Sequence, residues 1–317
     1  MTRLWLLAIG VAAAALVSGC TPRSISGAGS FEAGTTKVAV AFYPIEDIVR
    51  AVGGSAVSVV ELVPPGESAH DYEPTPQQIT NLQLADVVFY LGEGFQPNVE
   101  KAISTLPTRI RKVNLLANVP LIRVSDQLAG TEGTTAGEVL ANGHDPHVWL
   151  APANMKLMTG VVRSTLAALG GTDAAATAAN ATAYSDALDA LDAQFSRGLA
   201  RCRSNVIVTS HRAFGYLAAA YGLHQIAISG ISPSEEPSAK TLEAVARAAK
   251  QHNVSTIFFE QNLPADLSHT IADEIGASTA VLDPVETLSR DQIDAHANYV
   301  SVMQQNLTAL EKGLGCS

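Results

Sequence analysis

The residues with most chemical promise are histidines, which stand at positions 70, 144, 147, 211, 224, 252, 269 and 296. Neutral imidazole is the commonest metal ligand among side chains. His70 closes the segment PPGESAH behind a short apolar run, His147 lies in GHDPHVWL, and His211 directly follows NVIVTS. Two acids occupy comparable places, Glu260 after STIFF and Asp283 after STAVL. Three histidines and one carboxylate make a tetrahedral zinc set, so His70, His147, His211 and Asp283 are the candidate ligands. Their intervals are long and irregular, and spacing alone is a weak signal. A lone histidine behind a strand is more often a loop or capping residue. Asp283 could equally be a turn former before Pro284, and Glu260 a solvated or paired acid. His144, three residues before His147, stays open between a second ligand, a group supporting the ligands and a plain loop residue. His224, His252, His269 and His296 fall within strand or helix patterns and take no chemical role. A catalytic metal would need an open coordination position and a nearby base, and there is no H-E-x-x-H in the chain.

Convergence of these residues depends on the elements that carry them. Short β-type runs at 37–42, 57–63 and 86–91 alternate with helical patterns at 44–52 and 76–84, and a further helix and strand extend to about 113. The alternation returns later, with strands at 205–209, 223–228, 255–259 and 278–282 and helices at 213–221, 238–252, 265–275 and 291–310. Strands alternating with helices predict parallel sheets built from βα units. Between them, 172–202 reads as one uninterrupted helix, with Thr172 or Asp173 as cap and Tyr184, Leu188, Leu191, Phe195 and Leu199 at three- and four-residue spacing. The predicted fold class is α/β. It has two lobes, each with a mainly parallel sheet flanked by helices, joined by a long rigid linker helix. Sites in open α/β sheets form beyond the carboxyl ends of strands, so candidates from both lobes can meet only in the cleft between them.

Acidic residues outnumber basic ones 30 to 20 in the 317-residue chain, which argues against a nucleic-acid partner. A hydrophobic fraction of 47% excludes a disordered chain. Residues 1–19 carry Arg3 and an apolar stretch too short to span a bilayer comfortably, which reads as a signal peptide. Val17-Ser18-Gly19-Cys20 resembles a bacterial lipobox, so Cys20 is the expected lipidation site, followed by a flexible tether over 20–36. An ordinary cleaved signal with an incidental cysteine is the alternative. Export leaves Cys202 and Cys316, an even number in an oxidising compartment; a disulfide between them is favoured over two unrelated buried thiols. The expected division is thus a signal peptide at 1–19, a tether at 20–36, an N-terminal lobe at 37–171, a linker helix at 172–201 and a C-terminal lobe at 202–317.

The segments PPGESAHDYEPTP (64–76), HDPHVWLAP (144–152), SHRAFGYLAAAYGLHQIAISGISPSEEPS (210–238), FFEQNL (258–263) and VLDP (281–284) resemble the signature segments of zinc/manganese solute-binding lipoproteins of bacterial metal ABC importers. The resemblance runs in order from about residue 37 to residue 316. It implies a metal held between two lobes by His70, His147 and His211. The fourth place falls to Asp283 when protein fills it, or to water or a neighbouring acid, with Glu260 behind the ligands. It implies a monomer that is exported and lipid-anchored on the outer face of the bacterial cell membrane, and that captures Zn(II) as its transported ligand for the membrane permease of a zinc ABC importer. Three imidazoles suit zinc better than manganese, which prefers oxygen ligands. A manganese-specific binding protein of the same family, an exported zinc-dependent hydrolase and an adhesin are the competing readings. Zinc-uptake relatives often carry a His-rich loop before D-P-H, but here 118–146 holds only His144 and scattered acids, among them Asp126, Glu132, Glu138 and Asp145, which speaks against a metal-collecting loop.

Overall fold

The computed structural model describes residues 30–124, 143–231, 233–234 and 236–317. Cys20 with its signal peptide, most of the tether and most of 118–146 lie outside the described residues. In the first lobe, strands β1 (Thr36–Val40), β2 (Val57–Glu61), β3 (Val87–Tyr90) and β4 (Arg111–Asn114) form a sheet of order β2-β1-β3-β4. The second lobe repeats the plan with β5 (Val206–Thr209), β6 (His224–Ala227), β7 (Thr256–Phe259) and β8 (Ser278–Val281), ordered β6-β5-β7-β8. All paired strands in both sheets are parallel. Parallel neighbours require crossovers, and helices supply them. These are α1 (Tyr43–Gly53), α2 (Pro76–Leu82) and α3 (Pro97–Ser104) in the first lobe. Their counterparts in the second are α6 (Gly215–Tyr221), α7 (Ala239–Gln251) and α8 (Asp266–Ile275). Proline opens each of the three helices of the first lobe, where its missing N–H costs no hydrogen bond.

Two long helices follow the first sheet: α4 (Pro152–Leu169), packed on α1, and α5 (Ala174–Gly198), which packs on α1 and on the C-terminal helix and so joins the halves. Asp173 caps α5 by accepting from the Ala175 amide, while the Thr172 hydroxyl donates to the Leu166 carbonyl. The 25 residues of α5 span about 37 Å at 1.5 Å per residue. Its buried stripe is Thr177, Ala181, Leu188, Leu191 and Phe195, and the rest of the surface is more open. Polar contacts tie it to both lobes: Tyr184 Oη donates to Asp47 of α1 at 2.7 Å, and Tyr221 Oη donates to Asp192 at 2.8 Å. One continuous apolar core includes Val38 and Phe89 of the first sheet, Leu191 of α5, and Ile207 and Phe258 of the second sheet. The opposite face of the second sheet has a core of its own, with Val206, Val208, Ile226 and Val245. Adjacent residues of β5 serve different cores because strand side chains alternate between faces.

The expected terminal helix over 291–310 is instead two helices, α9 (Arg290–Asp294) and α10 (Tyr299–Leu314). His296 takes a left-handed φ of 54°, and Asn298 then restarts the helix with a capping box to Ser301. The last turn of α10 packs so closely on β7 that a Cβ at Gly313 would lie 2.6 Å from the Phe258 ring, which leaves room only for glycine. Just beyond, Cys316 forms a disulfide with Cys202. No helix among the described residues is long and apolar enough to cross a membrane.

Candidate metal centre

The polar groups of interest sit on loops: His70 past β2 of the first sheet, His147 just ahead of α4, and His211, Glu260 and Glu286 past the carboxyl ends of β5, β7 and β8 of the second sheet. His70 lies in the loop after β2; the carbonyl of its neighbour Ala69 accepts from the buried Gln96 amide at 3.0 Å, and its ring meets Phe95 edge-on with centroids 4.9 Å apart. His147 follows a tight turn in which Asp145 accepts from the His147 backbone N–H at 2.9 Å. His211 stands two residues past β5, where its carbonyl accepts from Thr209 at 2.8 Å and from Gln225 at 3.0 Å. Glu260 follows β7 directly, and Glu286 lies in the loop after β8.

Among the described residues, His70, His147, His211 and Glu286 bring one N or O atom each within 4.8 Å of all the others. Glu286 Oε1 is 3.4 Å from His70 Nε2, 3.4 Å from His147 Nε2 and 3.5 Å from His211 Nε2. The Nε2 atoms of His147 and His211 are 3.3 Å apart. A tetrahedron with zinc-like arms of about 2.0–2.1 Å has edges of about 3.3–3.4 Å; these four separations match it, and the separations of His70 from the other two imidazoles lie within 4.8 Å. The corners are deeply shielded: His147 and His211 are fully buried, while Glu286 and His70 are 7% and 8% exposed. A cavity of about 50 Å³ between the lobes reaches this point, lined by Gly66, Glu67 and Ser68 on one side and Glu260, Glu286 and Thr287 on the other.

Two further carboxylates orient the imidazoles. Asp145 accepts from His147 Nδ1 at 2.7 Å, and Glu260 accepts from His211 Nδ1 at 2.6 Å. An ionised carboxylate can only accept, so in both rings Nδ1 carries the proton and a neutral ring turns its Nε2 lone pair toward the centre. Burial pulls the His211 imidazole down, but Glu260 and Glu286 outweigh it and raise its pKa to about 10. His147 is likewise pulled down by burial and raised on balance, chiefly by Asp145. For His70 burial wins over the pull of Glu286, and its pKa is lowered. Burial pushes Glu286 up, yet the imidazoles around it hold its carboxyl well below the usual range. Three buried carboxylates around three imidazoles thus form an acceptor-rich pocket that demands positive charge, from protons or from a cation.

The fourth corner differs from the sequence expectation. Asp283 stands two residues past β8, but its carboxylate accepts from the Val285 amide at 2.7 Å and from Gln292 Nε2 at 2.7 Å. It therefore lies outside the four-atom group, and Glu286, three residues on, takes the corner. The only local signal for Glu286 was an acid in the same loop. His144 also stands outside the group: it bridges to Arg123 through the backbone, and its buried Nδ1 has no hydrogen-bond partner among the described residues. Asp145 was visible in the sequence only as one of several scattered acids.

The family profile described as zinc-uptake complex component A, periplasmic, matches residues 38–313. The zinc-binding lipoprotein AdcA of Streptococcus pneumoniae is 34% identical over 284 residues, covering 88% of this chain and 56% of that protein. The chain therefore spans little more than half the length of that relative. The high-affinity zinc uptake system protein ZnuA of Bacillus subtilis is 31% identical over 302 residues, 94% of each chain. The crystal structure of the Zn(II)-bound ZnuA-like domain of S. pneumoniae AdcA superposes with a TM-score of 0.73 at 33% identity, covering 88% of this chain and 99% of that one. With the profile spanning both lobes and the linker helix, the chain belongs to the family of periplasmic component A of zinc-uptake complexes.

Proposed function

We propose that this protein is the extracytoplasmic solute-binding component of an ABC importer, capturing Zn(II) between its lobes for a membrane permease. The observation that carries the reading is the convergence of His70, His147, His211 and Glu286, with Glu286 3.4–3.5 Å from each imidazole, His147 3.3 Å from His211, and all four ligand atoms within 4.8 Å of one another. Four protein atoms complete a zinc shell, whereas a catalytic zinc keeps one position open for water, and this favours holding over hydrolysis. Three imidazoles and one carboxylate favour zinc over manganese, and zinc also has the higher intrinsic affinity for such a site. The test is competition titration of the metal-free protein with both ions. One tight zinc per chain is expected, with manganese much weaker, and His211→Glu should narrow the difference. Equal affinity for the two ions would overturn the choice of metal.

Zinc capture should also release protons. With the His211 pKa raised to about 10, its imidazole in the ion-free site holds at pH 7 a proton that a cation at Nε2 must displace. Zinc affinity should accordingly fall as pH falls. Calorimetry at pH 7 in buffers of different ionisation enthalpy should give heats that scale with the buffer, corresponding to about one proton released per zinc. Heats independent of the buffer would contradict this charge state.

Cys20 is proposed as the lipid anchor that holds the exported protein at the outer face of the membrane, supported by the Val17-Ser18-Gly19-Cys20 sequence. Cys20→Ala should move the protein to the soluble exported fraction or leave it unprocessed. Unchanged membrane association would exclude this cysteine as the anchor.

A further inference from the structure

Glu286 reaches the cleft from a short loop, 283–287, that is gripped along its length by both lobes. Asn306, 2% exposed on α10, holds the backbone of Asp283 twice: its Oδ1 accepts from the Asp283 amide at 2.8 Å, and its Nδ2 donates to the Asp283 carbonyl at 2.7 Å. Trp149 Nε1, from the first lobe, donates to the Pro284 carbonyl at 2.7 Å. The Gly66 amide, also from the first lobe, donates to Thr287 Oγ1 at 2.7 Å. Between these anchors Val285 takes a φ of 57°, a left-handed conformation that a β-branched side chain avoids unless its surroundings enforce it.

The enforcing group is the Asp283 side chain. One oxygen accepts from the Val285 amide at 2.7 Å, an Asx-type turn in which a side chain replaces a backbone acceptor. The other oxygen accepts from Gln292 Nε2 at 2.7 Å, which fixes the carboxylate's orientation. Gln292 is itself held, because its Oε1 accepts from the Ser289 amide at 2.7 Å in the capping box of α9. The residue so turned, Val285, immediately precedes the one that enters the site.

We propose that Asp283 is the positioning residue for Glu286: its carboxylate holds Val285 in the left-handed turn that aims Glu286 at the three imidazoles. Gln292 keeps that carboxylate in place. The proposal rests on the zinc-holding reading of His70, His147, His211 and Glu286, and it gives Asp283 a role distinct from ligation.

A double-mutant cycle on the full chain, read as zinc affinity by chelator competition, separates the roles. Asp283→Ala is expected to weaken zinc on the order of 10–100-fold, the range found for groups that support metal ligands. Asp283→Asn keeps an oxygen for the Val285 amide but turns an NH2 toward the Gln292 Nε2 donor, so its loss should match the smaller one of Gln292→Ala and stay well short of Asp283→Ala. In a Glu286→Ala background, Asp283→Ala should have no further effect. Three outcomes overturn the proposal: unchanged affinity in Asp283→Ala, a loss in Asp283→Asn as large as in Asp283→Ala, or losses that multiply with Glu286→Ala. Should Asp283→Ala fail to fold, Gln292→Ala carries the same test, with a smaller loss that must vanish in the Glu286→Ala background. His147→Ala serves as the reference: if it too leaves zinc affinity unchanged, the zinc-holding reading itself fails, whereas a loss there without one in Asp283→Ala sinks only the positioning role.

Discussion

Replacing His147 with alanine is expected to weaken zinc binding by more than about 100-fold, beyond the range for groups that merely support ligands. The substitution removes a fully buried corner of the tetrahedron and leaves Asp145 buried without the imidazole that meets it at 2.7 Å. His70→Ala, His211→Ala and Glu286→Ala should behave alike, since each supplies one of the four facing atoms. Thermal melts give an independent reading. A ligand present at 1,000 times its dissociation constant stabilises the folded state by about 4.1 kcal/mol. A 100-fold weaker site at the same zinc concentration would gain only about 1.4 kcal/mol by the same relation. Zinc should therefore raise the melting temperature of the parent strongly and that of the variants little. Full zinc affinity in His147→Ala would show that the four-atom group is not the binding site.

The second large effect concerns stability rather than binding. Opening the Cys202–Cys316 bridge, whose partners are 114 residues apart, frees a long loop in the unfolded chain. Chain-entropy reasoning puts the loss near 4–5 kcal/mol as an upper figure, against a total stability of about 5–15 kcal/mol for ordinary domains. The bridge lies away from the metal centre. Ser255, just before β7, donates to the Gly313 carbonyl near the end of α10, whereas Glu260 leaves the other end of the same strand. Cys202→Ser combined with Cys316→Ser should lower the urea midpoint markedly while zinc affinity at native temperature stays close to the parent value. An unchanged midpoint would refute a stabilising role, and a parallel loss of zinc affinity would show that the two ends of the lobe are coupled.

The sequence by itself determined the alternation of strands and helices, the long helix between the lobes and the strand-end placement of the histidines. These are local properties: hydrophobic periodicity, proline and glycine punctuation, and the rule that loops leave a parallel sheet at the carboxyl ends of its strands. His211 illustrates this, since NVIVTS states a buried strand and the next residue is a histidine. The break between α9 and α10 was less legible, because a left-handed His296 inside a helical pattern carries no compositional mark. The carboxylate corner was decided by tertiary structure alone. Both Asp283 and Glu286 follow the last strand, and proximity to the strand end favours Asp283. The choice went to Glu286 because Asn306, Trp149, Gln292 and Gly66, drawn from both lobes, fix the path of the loop, and Asp283 turns its carboxylate to Val285 and Gln292. Direction within a loop is set by groups far away in the chain, and no local pattern encodes it.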